Sequence, residues 1–389
     1  MQYNDHGAPS LPTGKQLMDN DIPLAYGMPM APPDQQQQQQ SQPPPLSTSA
    51  RSVMTEQGYT NGLQDAFETN QKHFRQSYWI VDNSGSMATP DGNRILETKR
   101  GRQLKFASCT RWREMQDTVD YHAQLATLTQ SPTEFRLLND PGAAAGPQRF
   151  RVGDTTSDND AALALAQSVM LNAQPGGVTP LTQHLHDIRN DILNSGSQHK
   201  IAIVLATDGV PTDARGYSDA FCKQQFVDAL RSLMALPVWV VVRLCTDETE
   251  VVDYWNALDE DVELNLEILD DYNAEAEEVV ECNRWLNYGL PLHRLRELGF
   301  HHRTFDLLDE RRLSKGELRD FLRLLLGSGP MAEAPDPDAD WKGFCDAVSR
   351  LLAKEKKQWN PITKRLEPWI DMKKLNKDFG HGGLYGLFA

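Results

Sequence analysis

Five residues in three separate stretches carry oxygen atoms that a hard divalent cation would accept as ligands. The first stretch, Trp79-Ile80-Val81-Asp82-Asn83-Ser84-Gly85-Ser86-Met87, is a short apolar run ending in Asp82-x-Ser84-x-Ser86. It delivers one carboxylate and two hydroxyls at the carboxyl end of an expected strand, and small oxygen ligands of this kind suit Mg²⁺. The second, Gly176-Gly177-Val178-Thr179-Pro180-Leu181, is a glycine turn that presents the Thr179 hydroxyl just before a helix. In the third, Leu205-Ala206-Thr207-Asp208-Gly209-Val210-Pro211, Asp208 directly follows an apolar run of strand length. Any one of them is also ordinary turn or helix-cap chemistry. Their joint order and strand context point to a metal site.

Such loops need a scaffold that brings them to one edge. Apolar runs of strand length occur at residues 78–81, 201–206, 238–244 and 266–269. They are rich in Val and Ile and do not alternate, which suits strands buried on both faces of a parallel sheet. Helical faces fall between them: Trp112, Met115 and Val119; Leu181, Leu185, Ile188 and Ile192, with Pro180 as first helical residue; and Phe226, Leu230 and Leu233. Residues 133–138 and 148–152, joined by a Pro/Gly/Ala-rich stretch, read as an antiparallel hairpin at the sheet edge. The expected fold is therefore α/β, a doubly wound, mostly parallel sheet with helices on both faces. Loops at the carboxyl edge of such a sheet are where ligands bind. Asp82 and Asp208 would end neighbouring strands, with Thr179 coming in from the loop between.

This trio resembles the metal-ion-dependent adhesion site of the von Willebrand factor A family. Asp82, Ser84 and Ser86 match its first loop, Thr179 its second and Asp208 its third, over roughly residues 75–285. The segment between the first two loops is longer than is usual there. The resemblance implies a Rossmann-like fold and a bound Mg²⁺ (or Mn²⁺ or Ca²⁺). It also implies carboxylates that act through water and leave the metal electrophilic, so that a partner's Asp or Glu fills the outward position. Three neutral hydroxyls and two carboxylates roughly balance a divalent ion without quenching it.

The rest of the chain bounds this reading. At 389 residues it holds one large or two modest domains. The expected organisation is a disordered Gln/Pro-rich region over 1–70, the α/β domain over 71–288, a helical extension over 289–329 and, over 330–389, an acidic linker, an amphipathic helix and a basic tail. No strand is expected past residue 290. A capping box, Ser314-x-x-Glu317, opens one helix of the extension. Residues 247–281 hold fifteen acidic side chains and no basic one, a surface on which the basic tail could dock. The terminal Gly383-Leu384-Tyr385-Gly386-Leu387-Phe388 could be a docking peptide.

A formal charge of −15 argues against general nucleic-acid binding. No run approaches the roughly 18 apolar residues of a membrane helix, and no secretory signal is visible at the N-terminus. Five scattered cysteines without metal spacing suit a reduced, intracellular and cytoplasmic protein. His184 and His186, two apart on a helix, cannot face one metal. Nucleophile-elbow, phosphate-loop and His-Glu-x-x-His motifs are missing from the sequence, so no enzyme chemistry is expected. For a hydrolase reading of the same Mg²⁺ site, Arg94 and Arg215 are the candidate phosphoryl clamps. The favoured reading is a metal-dependent protein-interaction module. A regulatory subunit of an ATPase complex and a metal-dependent hydrolase are the alternatives.

Overall fold

The computed structural model describes residues 45–97, 104–155, 158–261 and 266–380. The glutamine tract at 35–40 and the terminal 383–388 peptide lie outside the described residues. Helices α1 (Thr48–Glu56) and α2 (Asn61–His73) lead directly into β1 (Phe74–Val81). A 3₁₀ turn, Gly85–Ala88, and an antiparallel hairpin of β2 (Gly92–Glu97) and β3 (Leu104–Cys109) precede α3 (Arg111–Thr129). Then follow β4 (Thr133–Leu137), β5 (Arg149–Val152), α4 (Asn159–Asn172), α5 (Leu181–Ser195), β6 (Lys200–Thr207), α6 (Ala220–Met234), β7 (Val238–Leu244), α7 (Thr249–Asp261) and β8 (Leu266–Leu269). The C-terminal part runs through α8 (Tyr272–Cys282), α9 (Leu290–Glu297), α10 (Arg303–Glu310), α11 (Lys315–Leu326), α12 (Ser328–Ala332) and α13 (Trp341–Leu352). It closes with a small hairpin, β9 (Gln358–Asn360) and β10 (Arg365–Glu367), and α14 (Met372–Phe379).

Six strands form one sheet in the order β5-β4-β1-β6-β7-β8. All neighbours are parallel except β4 and β5, the expected edge hairpin. The apolar runs do not alternate because both faces are covered. Tyr78 and Ile80 of β1 face a core shared with Leu181, Leu185, Ile188 and Ile192 of α5 and Phe226 and Leu230 of α6. Trp79 and Val81 face the opposite core, with Met115 and Val119 of α3 and Val169 of α4. This is a doubly wound α/β fold. The β2–β3 hairpin lies between the first and second loops. Pro180 stands one residue before α5 rather than inside it.

Two stretches differ from the sequence expectation. Residues 48–70, expected within the disordered region, form α1 and most of α2, which are capped by the side chains of Ser47 and Thr60. Their apolar residues are few, but Ala50, Met54, Leu63 and Phe67 are buried in a third core with the helices of the C-terminal extension. Their stability comes from packing rather than from propensity. Past residue 290 strands do recur, as β9 and β10. The Gln358 side chain there donates to the Gly58 carbonyl at 3.2 Å, tying this hairpin to the turn between α1 and α2.

Two inward-facing acidic residues of the 247–281 stretch, buried Glu275 and half-buried Glu267, have a partner in the extension. Glu267 and Glu275 pair with Arg296 of α9. The capping box at Ser314 and Glu317 is formed at the start of α11. No described helix is long and apolar enough to cross a membrane.

The contact between α2 and α11 is close at Gly62, where an added Cβ would lie 2.2 Å from the Leu324 carbonyl oxygen and 2.5 Å from the Gly327 nitrogen. Backbone cannot yield as a side chain can, so Gly62→Ala is expected to destabilise the fold by about 1–3 kcal/mol or more. Urea unfolding checks this, and an unchanged midpoint would mean that the N-terminal helices do not dock on α11.

Candidate metal centre

β1 and β6 run side by side and end together, with Val81 opposite Ala206. The chain crosses once more where the Asp82 N–H donates to the Ala206 carbonyl at 2.9 Å. Asp82 and Asp208 therefore leave adjacent strands at the carboxyl edge of the sheet. Both are buried, at 0% and 2% exposure, as is Ser84, whereas Ser86 is exposed.

A continuous set of hydrogen bonds joins four of the five expected residues. Asp82 Oδ1 accepts from the Ser84 N–H at 2.8 Å, closing the turn that the Asp-x-Ser spacing permits. The Ser84 and Ser86 hydroxyls are 3.0 Å apart, and Ser86 Oγ donates to Asp208 Oδ1 at 2.8 Å. The other Asp82 oxygen, Oδ2, accepts from Thr207 Oγ1 at 2.6 Å. Thr179 is buried in the second loop, against the third. A Cβ on Gly209 would lie 3.5 Å from its Oγ1. The Thr179 N–H donates to Thr212 Oγ1 and its carbonyl accepts from the Thr212 N–H, both at 2.9 Å.

The loops are fastened to one another by residues with no metal-ligating role. Gly176 N–H donates to the Asn83 carbonyl at 2.7 Å and Gly85 N–H to the Gly177 carbonyl at 3.2 Å. The Asn83 and Asn139 side chains bridge the first loop, the end of β4 and the second loop. Asn83 Oδ1 accepts from the Asn139 N–H at 2.8 Å, and Asn139 Nδ2 donates to the Val178 carbonyl at 2.8 Å. Gly177 has φ +89°, and a Cβ there would meet Asn139 Oδ1 at 2.5 Å, so only glycine serves. Trp255 of α7 donates to the Gly209 carbonyl at 3.1 Å and holds the third loop.

Arg111, the first residue of α3, is the component that sequence patterning missed. Its side chain is 1% exposed and lies within ion-pair distance of three carboxylates: Asp208 at 3.0 Å through Nη1, and Asp91 at 2.5 Å and Glu248 at 2.6 Å through Nη2. Its Nε also donates to Asp91, at 2.8 Å. The base of the β2–β3 hairpin places it: the Arg111 N–H donates to the Thr89 carbonyl at 3.0 Å, and Gly92 packs on the backbone of Thr110. The two arginines singled out from sequence are elsewhere. Arg94 pairs with Asp117 at 2.9 Å, and Arg215 is exposed on the turn after the third loop. His184 is buried with its Nε2 3.0 Å from the Leu138 carbonyl, which makes it a core residue.

Burial and the nearby Asp208 charge push the Asp82 carboxyl up to about 6, against weaker stabilisation by Thr207 and Ser84. Burial also raises Asp208, and Arg111 and Ser86 pull it back. The structure thus confines two like-charged carboxylates in low dielectric beside three hydroxyls, a donor set that fits a hard divalent cation. Among the described residues, no group of three or more His, Cys, Asp or Glu side chains is placed to hold a metal ion. A cation here would depend on the hydroxyls as much as on the carboxylates.

No protein-family model matches the chain, and no curated protein matches it. Similar solved structures include the PilB minor pilin from Streptococcus sanguinis, 14% identical over 51% of this chain and 57% of that one, with a TM-score of 0.36. The manganese-loaded TRAP protein of Plasmodium vivax is 16% identical over 52% of this chain and 70% of that one, at 0.33. The pilus adhesin SpaC from Lactobacillus rhamnosus GG is 16% identical over 51% of this chain, at 0.32. This chain spans little more than half the length of the pilin and 28% of the SpaC chain.

The raised Asp82 carboxyl has a consequence for the metal-free protein. Between an unfolded value near 3.8 and a folded value of about 6, the native chain binds a proton that the unfolded chain does not. Stability is therefore lost as pH rises through this interval, and the cost is fully present above it. Asp82→Asn removes it. In chelator at pH 8 the variant is expected to be more stable than the wild type by about 1–3 kcal/mol, with the difference vanishing below pH 4. Thermal melts at the two pH values check this. A pH-independent difference would contradict it.

Proposed function

We propose that this chain is a divalent-metal-dependent protein-interaction module of the von Willebrand factor A type. Asp82, Ser84, Ser86, Thr179 and Asp208 hold the ion, and an acidic residue of a partner protein completes the site. The observation that carries this reading is the bonded series Asp82–Ser84–Ser86–Asp208, buried at both ends and open to solvent at Ser86. Ser84, Ser86 and Thr179 offer neutral oxygens, and Asp82 and Asp208 supply the charge. Mg²⁺, Mn²⁺ or Ca²⁺ bound there would supply an electrophilic position suited to an Asp or Glu carboxylate.

The surface beside the third loop suits a protein partner. Tyr217 and Phe221 are 68% and 70% exposed, unusual for side chains of this size. Asp213 holds the turn that displays Tyr217, accepting from the Arg215 and Tyr217 N–H groups at 2.8 and 2.9 Å. Aromatic anchors of this kind dominate binding energy where they become buried.

The hydrolase reading gains no support. Phosphoryl transfer wants a cation free to contact the transferring group. Arg111 is the cation at the site, and its Nε, Nη1 and Nη2 are all committed to carboxylates.

The test is retention of partners from a lysate by wild-type protein and by Asp208→Ala, each in Mg²⁺ and in chelator. Partners held by the wild type in Mg²⁺ should be lost in chelator and by the variant. Identical partners in all four arms would overturn metal-bridged recognition.

A further inference from the structure

Arg111 places a permanent positive charge against the proposed metal site. A guanidinium stays protonated at any pH a protein survives, and this one is 1% exposed and 3.0 Å from Asp208 Oδ2. The remaining Asp208 oxygen is taken by the Ser86 hydroxyl at 2.8 Å. Both Asp208 oxygens are thus occupied, and the buried carboxylate is partly neutralised from within. The other two partners of Arg111 are different in kind. Asp91 and Glu248 are 40% and 58% exposed, so water and salt screen their charges while the guanidinium and Asp208 remain buried together.

We propose that Arg111 acts as an internal cation that keeps the divalent ion weakly held and electrophilic. The proposal rests on the metal-site reading above. Its charge arithmetic is direct. Asp82 and Asp208 alone would neutralise a divalent ion. Arg111 adds a positive charge that the solvent-screened Asp91 and Glu248 offset only in part, and an incoming carboxylate balances the remainder. Arg111 thereby makes an acidic ligand part of stable metal binding, and it is a positioning residue rather than a ligand.

The experiment is a titration of the full chain with Mn²⁺ alone, read by electron paramagnetic resonance of the free ion, for the wild type, Arg111→Gln and Arg111→Lys. Folding is checked by circular dichroism. Arg111→Gln should bind Mn²⁺ at least tenfold more tightly than the wild type, and Arg111→Lys, which keeps the charge, should stay within about threefold of it. Should the Arg111 variants fail to fold, the exposed-carboxylate variant Asp91→Asn/Glu248→Gln serves, since it leaves the whole guanidinium charge on Asp208. It should bind Mn²⁺ at least threefold more weakly than the wild type.

Equal or weaker binding by Arg111→Gln, equal gains by Gln and Lys, or an unchanged carboxylate variant would each overturn the role of Arg111 while leaving the metal site standing. Absence of Mn²⁺ binding by the wild type and every folded variant would remove both.

Discussion

Two carboxylates of like charge are buried at the ends of adjacent parallel strands, and the carboxyl edge of the sheet is organised around that constraint. Pairing of β1 with β6 forces Asp82 and Asp208 together. Burial then raises both carboxyls, an arrangement that disfavours the folded chain at neutral pH. Each oxygen is given a donor: Ser84 and Thr207 for Asp82, Ser86 and Arg111 for Asp208. The hydroxyl and carboxylate oxygens gathered there, open to solvent at Ser86, are of the kind that suits a hard cation.

The C-terminal extension bears on this site through α3, whose first residue is Arg111. His122 of α3 lies 2.8 Å from Glu297 of α9, and Glu114 of α3 is 2.6 Å from Arg243 at the end of β7. Glu297 is fully buried. Burial would raise its carboxyl, but the Arg294 charge, the His122 hydrogen bond and the His293 ring 3.5 Å away hold it well below the usual range. Breaking a buried network of this kind typically costs several kcal/mol. The extension therefore fixes the helix that delivers the guanidinium, and α1 and α2 share the extension's core.

Much of this was legible in the sequence because it rests on local pattern. Unbroken Val/Ile runs announced the buried parallel strands. The 133–152 hairpin and the face formed by Leu181, Leu185, Ile188 and Ile192 followed from period and length. The Asp-x-Ser-x-Ser spacing announced the turn that Asp82 closes on the Ser84 N–H. What escaped depends on contacts distant in sequence. Arg111 is 97 residues from Asp208 and 137 from Glu248, and a lone arginine at a helix start looks like any surface cation. Helices α1 and α2 are polar segments whose few apolar residues find a core mostly in residues more than 200 positions away, where the Thr60 cap also donates to the Leu325 carbonyl. The asparagine bridge from Asn83 to Asn139 likewise has no sequence period.

The most direct measurement is anomalous diffraction from crystals of the full chain grown with Mn²⁺ at neutral pH. One strong peak is expected at the carboxyl edge of the sheet, in contact with the hydroxyls of Ser84 and Ser86 and bounded by Thr179, Asp82 and Asp208. On the solvent side, water or a neighbouring carboxylate should complete the shell. A loop cluster that remains bonded as Asp82–Ser84–Ser86–Asp208 with no peak, or Mn²⁺ bound only at other carboxylates, would contradict the metal-site reading.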